Sequence, residues 1–162
     1  MTIKRHFYKK PNVDMQAWPL DPLMANTINA ESFVYYDTTA KYLVALASDS
    51  NAAYFVGLLQ DQTPVGNYGS IGFDQGGGTT NPNTNNQGMV VRYGQAKMNC
   101  TVGQSYTAGQ RVCIGADAQT VSTSGSNYIA YVSGEQADIT TATAGQTVLV
   151  DFRANYPAVP VN

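Results

Sequence analysis

Apolar residues recur at every second position along much of this chain, which is the pattern of β-strands with one buried and one solvent-facing side. The clearest examples are the stretch from Ala96 to Val102 and the stretch 146–152, where Val148, Val150 and Phe152 alternate with other residues. Helical spacing is absent from Gln95 to Arg153. The strands predicted in this half of the chain are 96–102, 110–114, 118–123, 128–132 and 146–152.

The first half predicts a β-hairpin followed by a third strand. The apolar runs 33–36 and 41–46 flank the turn 37–40, which has the residue types of a hairpin turn. The run 53–59 is continuously apolar, as is 128–132, and this favours strands buried on both faces, one of which is a candidate subunit interface. Gly57 inside its run indicates a bulge or a close backbone approach.

The two halves share a loose pattern. In each, a strand is followed by an Asp-containing turn, a polar stretch, and an Asn-led apolar strand, at 51–59 and again at 127–132. Either one supersecondary unit is used twice around a shared core, or two unrelated hairpin units look alike by chance. The fold class predicted is all-β, a small antiparallel β-barrel or sandwich built from two loosely similar hairpin units, with an extended N-terminal arm.

Residues 1–30 differ in character from the rest. They combine basic residues, prolines and isolated large apolar side chains without any sustained period. Because proline fixes φ and disfavours helix before it, the segment around Trp18 is predicted to be extended. A disordered tail is one interpretation, and an arm that docks on a partner is the other, favoured by the number of large apolar groups.

The resulting domain prediction has three parts. An arm occupies 1–30, a single all-β domain occupies 31–156, and a tail occupies 157–162. Within the domain, the Gly- and Asn-rich stretch 74–88 has no apolar residue from Asp74 to Gly88, and it is predicted to be an exposed loop. A phosphate-binding loop is disfavoured there, because no Lys-Ser or Lys-Thr follows the glycines.

Composition and charge narrow the function. Only 12% of residues are charged, about half of the usual ~25%, so neutral polar side chains must cover most of the surface. A net charge of −2 lacks the basic stripe that nucleic-acid binding requires. The chain has no apolar window long enough for a membrane span and no signal-peptide pattern, which predicts a protein made and folded in a cytosol.

Candidate catalytic chemistry is sparse. The single histidine, His6, lies in the arm, so a Ser-His-Asp triad or a zinc site has no convincing ligand set. Cys100 is interpreted as a small core residue, and a disulfide between Cys100 and Cys113 stays open because the sequence cannot place their Cα atoms. A carboxylate pair brought together by folding also stays open. We expect no enzymatic activity, no cofactor and no metal.

Several turn-and-strand segments follow one another in a fixed order along residues 31–153. They are 33–37 with 41–44, then 55–59, 108–117, 128–132 and 145–150. In this order they resemble the small β-rich capsid decoration, or cement, proteins of tailed bacteriophages, which carry an Ala-Gly-x-x-Val-x-x-Gly-Ala-Asp-Gly type turn and a closing Gly-x-x-Val-x-Val strand. The chain departs from that pattern at Ala118, where the family often has glycine, and in the loop 74–88.

The resemblance implies a structural virion protein. Such proteins are typically homotrimers on the outside of the head, where they bridge neighbouring major capsid subunits and resist internal DNA pressure. It therefore implies the major capsid protein and further copies of the chain as partners, and an outer-capsid location after synthesis in the host cytoplasm. The alternative is a carbohydrate-binding or host-adhesion module of a phage fibre.

The arm is the predicted capsid-binding element. An extended segment covers much partner surface per residue, because side chains can insert singly into pockets. Basic residues would favour an acidic groove, and large apolar residues would serve as anchors. The residues assigned to this contact are Lys4, Arg5, Phe7, Tyr8, Lys9, Lys10, Trp18, Leu20 and Leu23.

Overall fold

Short strands and tight turns make up nearly all of the structure. The computed structural model of the chain describes residues 15–21, 23–24, 28–46, 49–60, 66–67 and 87–154. Within these ranges there is one 3₁₀ helix, η1, Asp49–Tyr54, and no α-helix. The strands are β1 Met15–Pro19, β2 Leu23–Met24, β3 Phe33–Asp37, β4 Tyr42–Ala45, β5 Phe55–Leu59, β6 Gly66–Asn67, β7 Gln87–Val91, β8 Tyr93–Cys100, β9 Arg111–Ile114, β10 Thr120–Ser122, β11 Ala130–Val132 and β12 Thr147–Arg153.

The strands form an open sheet followed by a closed barrel. The five-stranded sheet has the order β1-β7-β5-β3-β4, and the barrel has the order β10-β8-β12-β11-β9. All of these pairings are antiparallel except β10 with β8, which is parallel and closes the barrel. β2 and β6 form a separate two-stranded sheet. The predicted all-β class with a small barrel is confirmed.

The sheet and the barrel repeat the same connectivity. In the sheet, β1 pairs with β7, β7 with β5, β5 with β3 and β3 with β4. In the barrel, β8 pairs with β12, β12 with β11, β11 with β9 and β9 with β10. We call β1 to β7 the first repeat and β8 to β12 the second repeat. One supersecondary unit is therefore used twice, and of the two interpretations of the sequence pattern this is the one that holds.

The two repeats agree down to single hydrogen bonds. Leu59 N–H donates to Ser32 O at 2.9 Å, and at the equivalent place Val132 N–H donates to Gln110 O at 2.8 Å. Gln60 N–H donates to the carbonyl of Met89, and the equivalent Ser133 N–H donates to that of Leu149, both at 2.9 Å. Even the β2–β6 pair has a counterpart, an isolated antiparallel bridge between Tyr106 and Ile139.

The apolar side chains form two cores, and β5 contributes to both. Phe55 and Leu58 belong to the larger core, which includes the barrel interior, whereas Val56 and Leu59 belong to a smaller core inside the first repeat. A register shift next to Gly57 interrupts the alternation of β5. Leu58 therefore faces the same core as Phe55, and Leu59 faces the same core as Val56. The continuous apolar run at 55–59 is thus buried on both faces within one chain.

A contact that we call the joint holds the repeats together. The Phe33 ring lies edge-on to Phe55, with centroids 5.2 Å apart, and 5.5 Å from Phe152. Phe152 shares the inward-facing side of β12 with Val148 and Val150, so the joint seats a face of the first repeat against the barrel's interior residues. A hydrogen bond of 2.7 Å from the backbone N–H of Phe33 to the carbonyl of Ala118 adds a polar link.

The predicted arm boundary at residue 30 is wrong for the part of the arm that the structure describes. β1 lies along β7 from Met15 to Pro19, and Trp18 is completely buried in the smaller core, with its ring 5.3 Å from that of Tyr36. Proline is tolerated in β1 because this strand lies at the edge of the sheet. Residues 1–14, residues 74–86 of the predicted loop and the predicted tail 157–162 lie outside the described residues.

A buried hydroxyl ties the turn after β8 to β10. Tyr106 is fully buried, and its OH donates to the carbonyl of Val121 at 2.7 Å and accepts from the N–H of Thr101 at 2.9 Å. Burial raises the pKa of Tyr106 above the ordinary 10.0, while its hydrogen bonds with Thr101 act in the opposite direction. The neutral phenol is therefore the form that the fold stabilises.

Replacing this phenol should lower stability in a pH-dependent way. Tyr106→Phe is expected to reduce the free energy of unfolding by about 1–2 kcal/mol at neutral pH, because polar partners lose the hydroxyl. Above pH 10 the unfolded tyrosine ionises first, so the wild-type contribution is complete below pH 10 and is lost as pH rises through the higher folded pKa. Urea unfolding from about pH 7 to 11 should show a shallower loss for the variant than for wild type. The exposed Tyr128→Phe is the control, and an equal effect from it would contradict the assignment.

Candidate interaction surface

A cluster of three side chains lies on the outer face of the barrel and takes no part in packing the barrel interior. β9 and β11 pair so that Arg111 lies opposite Tyr131, and Val112 lies opposite Ala130. Val112 and Ala130 point inward and are buried, whereas Arg111 and Tyr131 point outward. With Tyr128, which precedes β11, they form what we call the aromatic–arginine patch.

The patch is organised by its guanidinium group. The Arg111 Cζ lies over the Tyr128 ring at 5.4 Å from its centroid and over the Tyr131 ring at 6.0 Å. Each contact of this kind is worth about 0.5–1 kcal/mol at an exposed site. The N–H groups of a guanidinium lie in its plane, along the perimeter. Stacking on a ring uses only the faces, so these N–H groups can still donate to planar acceptors such as a carboxylate.

Exposure makes the patch a candidate binding surface. Tyr128 is 42% exposed and Tyr131 is 50% exposed, although both are large aromatic residues on regular or nearly regular backbone. Tyrosine and arginine are enriched among the residues that dominate binding energy in protein interfaces. Since the two rings and the guanidinium already hold one another, little side-chain entropy remains to be lost on binding.

The surface continues across the next strand. Asp151 on β12 lies opposite Tyr131, and two residues further Arg153 lies opposite Tyr93 of β8. A groove of about 450 Å³ runs beside them, lined by Tyr93, Gly94, Asp151, Phe152 and Arg153. The mixture of cations, an anion and phenols suits a polar protein surface or a hydroxyl-rich ligand better than an apolar one.

The residues assigned to capsid binding from the sequence do not form one surface. Trp18 and Leu20 are buried in the smaller core of the first repeat, so they cannot anchor a partner without unfolding that core. Leu23 lies on β2 and pairs with Asn67 of β6. The others, Lys4, Arg5, Phe7, Tyr8, Lys9 and Lys10, lie outside the described residues.

The two cysteines are free and buried. Cys100 and Cys113 form no disulfide with each other, which settles the pairing left open by the sequence. Burial raises the pKa of the Cys100 thiol, so its reactive thiolate is disfavoured at neutral pH. Across the part of the chain that the structure describes, no group of three or more His, Cys, Asp or Glu side chains could bind a metal ion. In the same part, no helix is long and apolar enough to span a membrane.

Sequence reasoning missed the aromatic–arginine patch. The continuous apolar run 128–132 predicts a strand buried on both faces, yet β11 alternates, with Tyr131 exposed between the buried Ala130 and Val132. The signal in the sequence is chemical. Tyr128 and Tyr131 carry polar hydroxyl groups and Arg111 is charged, so all three side chains favour contact with solvent.

Comparisons of the chain with protein families, curated proteins and solved structures found no match.

Proposed function

We propose that this protein binds the outside of a tailed-bacteriophage capsid and stabilises the capsid by bridging major capsid subunits. In this role it is a structural virion protein, made in the host cytoplasm and assembled as a homotrimer on the outer capsid surface. It acts by binding and not by catalysis. The proposal starts from the resemblance of residues 31–153 to capsid decoration proteins.

The observation that carries the proposal is the exposed patch on a closed barrel. A protein that bridges subunits needs a framework that does not deform, and a barrel has no open sheet edge through which it could yield or aggregate. It also needs a preorganised surface with large contact groups, and Arg111, Tyr128 and Tyr131 form one. The segments that carry the resemblance in the second half, 108–117, 128–132 and 145–150, include β9, β11 and part of β12.

Residues 4–10 remain the proposed capsid-binding arm, now without Trp18 and Leu20. The segment before β1 has Lys4, Arg5, Lys9 and Lys10 together with two aromatic residues. Basic side chains on an extended segment would favour an acidic groove of the capsid, with a contact weakened by salt.

A carbohydrate-binding or host-adhesion role is the second candidate. The observation that favours it is the pair of exposed rings, Tyr128 and Tyr131, with Asp151 opposite Tyr131. Rings of this kind can stack on sugar faces while a carboxylate and a guanidinium bind hydroxyl groups. In this case the partner would be a glycan and not a capsid subunit.

Cosedimentation with empty capsids tests the first proposal. We expect the full-length protein to pellet with capsids and a variant lacking residues 1–10 to bind at least about tenfold more weakly, a change of roughly 1.4 kcal/mol. The exposed Lys97→Glu removes a positive charge from β8 and serves as the matched control, with unchanged binding expected.

Two outcomes would contradict this assignment. Unchanged affinity after removal of residues 1–10 would show that the arm is dispensable, and absence of binding by the full-length protein would remove the capsid role. A glycan array probed in parallel supports the second candidate if specific sugars bind and Tyr131→Ala abolishes their binding.

A further inference from the structure

The outer face of the barrel places a cation, a phenol and an anion in one row across three strands. Strand pairing sets Arg111 opposite Tyr131, and Tyr131 opposite Asp151. Neighbouring strands lie about 4.8 Å apart, so the backbones of Arg111 and Asp151 are separated by roughly 10 Å along this row. Tyr131, which is 50% exposed, lies between them. A ligand placed over this row therefore meets a positive group at one side and a negative group at the other.

A second cation lies beside the row. Arg153 follows Asp151 by two residues on β12, on the same side of the strand, and it is exposed. It lies opposite Tyr93 of β8, which is 36% exposed. The groove of about 450 Å³ lined by Tyr93, Asp151 and Arg153 thus continues the aromatic–arginine patch. Patch and groove together carry two arginines and one aspartate, so they are locally positive on a chain whose net charge is −2.

The two guanidinium groups have no acidic partner of their own. Arg111 contacts the rings of Tyr128 and Tyr131, and among the described residues no carboxylate or carbonyl pairs with its N–H groups or with those of Arg153. An arginine held by rings but lacking an acid is preorganised for a planar anion, because its fork of N–H groups matches the two oxygens of a carboxylate. The face is complementary to a ligand that brings the carboxylate with it.

The size and chemistry of the face favour a small polar ligand. A groove of about 450 Å³ lies within the range of roughly 300–1,000 Å³ that small-ligand sites have, whereas a stable protein interface uses about 20–30 residues on each side. A nucleic acid is disfavoured, because Asp151 in the row would repel a run of phosphates. Exposed phenol rings pack against the C–H faces of sugars, and carboxylates and phenols exchange hydrogen bonds with sugar hydroxyl groups.

We infer that the patch and the groove form a binding site for an acidic saccharide, one whose sugar rings carry carboxylate groups. Arg111 and Arg153 bind these carboxylates through paired hydrogen bonds. The rings of Tyr93 and Tyr131 pack against the sugar, and Asp151 accepts hydrogen bonds from its hydroxyl groups. This inference rests on the second candidate function, for which it names the ligand class, and it requires no capsid.

Isothermal titration calorimetry on the isolated full-length protein tests the inference. The probes are trigalacturonate, a hyaluronan tetrasaccharide and sialyllactose, each compared with its methyl ester, which keeps the sugar rings but carries no negative charge. We expect at least one acid to bind with a dissociation constant below roughly 1 mM, and at least about tenfold more tightly than its ester.

Substitutions separate the roles of the cation and the ring. Arg111→Gln should weaken binding of the acid at least about tenfold and change binding of the ester little, because the carboxylate is what the guanidinium recognises. Tyr131→Ala should weaken both ligands, because both pack on the ring. Two controls should bind like wild type. Lys97→Gln removes a positive charge from an exposed residue of β8 that lies four positions from Tyr93, and Tyr54→Ala removes a 42% exposed ring from the first repeat.

The possible outcomes are distinct. An ester that binds as tightly as its acid, or an acid affinity unchanged in Arg111→Gln, would overturn the inference and leave saccharide binding intact. Failure of every acid and every ester to bind would overturn it together with the second candidate function. Equally tight binding of a single-stranded oligothymidylate would show a surface for polyanions in general and would also overturn it. Circular dichroism checks that the variants are folded, and Arg153→Gln replaces Arg111→Gln if that variant is not. Capsids are absent from every sample, so the capsid proposal is decided separately.

Discussion

Removing residues 1–21 is expected to unfold the first repeat. The deletion takes away β1, which covers the edge of β7, and it takes away Trp18, the largest fully buried side chain. Trp18→Ala alone should lower the free energy of unfolding by about 3–5 kcal/mol, as large-to-small changes in a core do. That is a large share of the roughly 5–15 kcal/mol that stabilises a domain. Urea denaturation followed by circular dichroism measures both effects.

Deleting only residues 1–10 is the matched control, since it leaves β1 whole. Because β1 and Trp18 are kept, this shorter variant should unfold within about 0.5 kcal/mol of wild type. Should the protein lacking residues 1–21 keep its full stability, β1 would have no role in the fold, and Trp18 would again be a candidate for partner binding.

Gly57→Ala is expected to be among the most damaging single substitutions in the chain. Gly57 has a φ of +135°, which only glycine adopts readily. A Cβ at this position would overlap the carbonyl oxygen of Val91 and would lie 2.9 Å from Cγ1 of Val90. Because β7 is paired on both sides, with β1 and with β5, the backbone carbonyl of Val91 cannot move without loss of pairing. We expect about 4 kcal/mol or more of destabilisation, in the range of exceptional point mutations.

Gly109→Ala separates the two causes. Gly109 also has a positive φ, +82°, but nothing lies within 4 Å of the position that its Cβ would take. In Gly109→Ala only the strained backbone conformation lowers the free energy of unfolding, by roughly 1–2 kcal/mol. Thermal or urea unfolding of the two variants should therefore differ by a few kcal/mol. Equal losses would show that the close approach to Val91 is not what requires glycine at residue 57.

Much of the second repeat follows from sequence periodicity. β12 alternates between buried Val148, Val150 and Phe152 and residues that retain exposure, as the pattern of 146–152 predicts. A strand with one face on the core records that face in its sequence, because each apolar residue on the wet side would cost solubility. The hairpin of β3 and β4 and the role of Gly57 were predictable for similarly local reasons.

The first repeat was harder to predict because its decisive contacts are distant in sequence. β1 contains a proline and lies in a segment with basic residues and no period, so nothing local marks it as a strand. Its partner β7 begins only at Gln87. The aromatic–arginine patch was missed for a different reason, because a tyrosine fits either a core or a surface, and only the strand register places Tyr131 outside.

Comparison of the two repeats shows on which side of a strand the residue type is constrained. Val34 of β3 and Val112 of β9 occupy equivalent inward positions and are both valine, whereas their neighbours Phe33 and Arg111 differ completely. Inward positions must fill a core whatever lies outside the barrel. Outward positions follow their environment, which is a second repeat for Phe33 and solvent for Arg111. Low identity between the repeats is thus compatible with the same backbone.

The pairing of β1 with β7, the first and last strands of the first repeat, has a consequence during synthesis. Pro19 at the end of β1 pairs with Gln87 at the start of β7, so the whole of the first repeat lies between them in the chain. At an elongation rate of roughly 5–20 residues per second, several seconds separate their emergence from the ribosome. During that interval the indole of Trp18 has no sheet to enter and is exposed to chaperones and proteases. Although β1 is translated before the other strands of its sheet, it enters that sheet only after β7, the last of them to be translated.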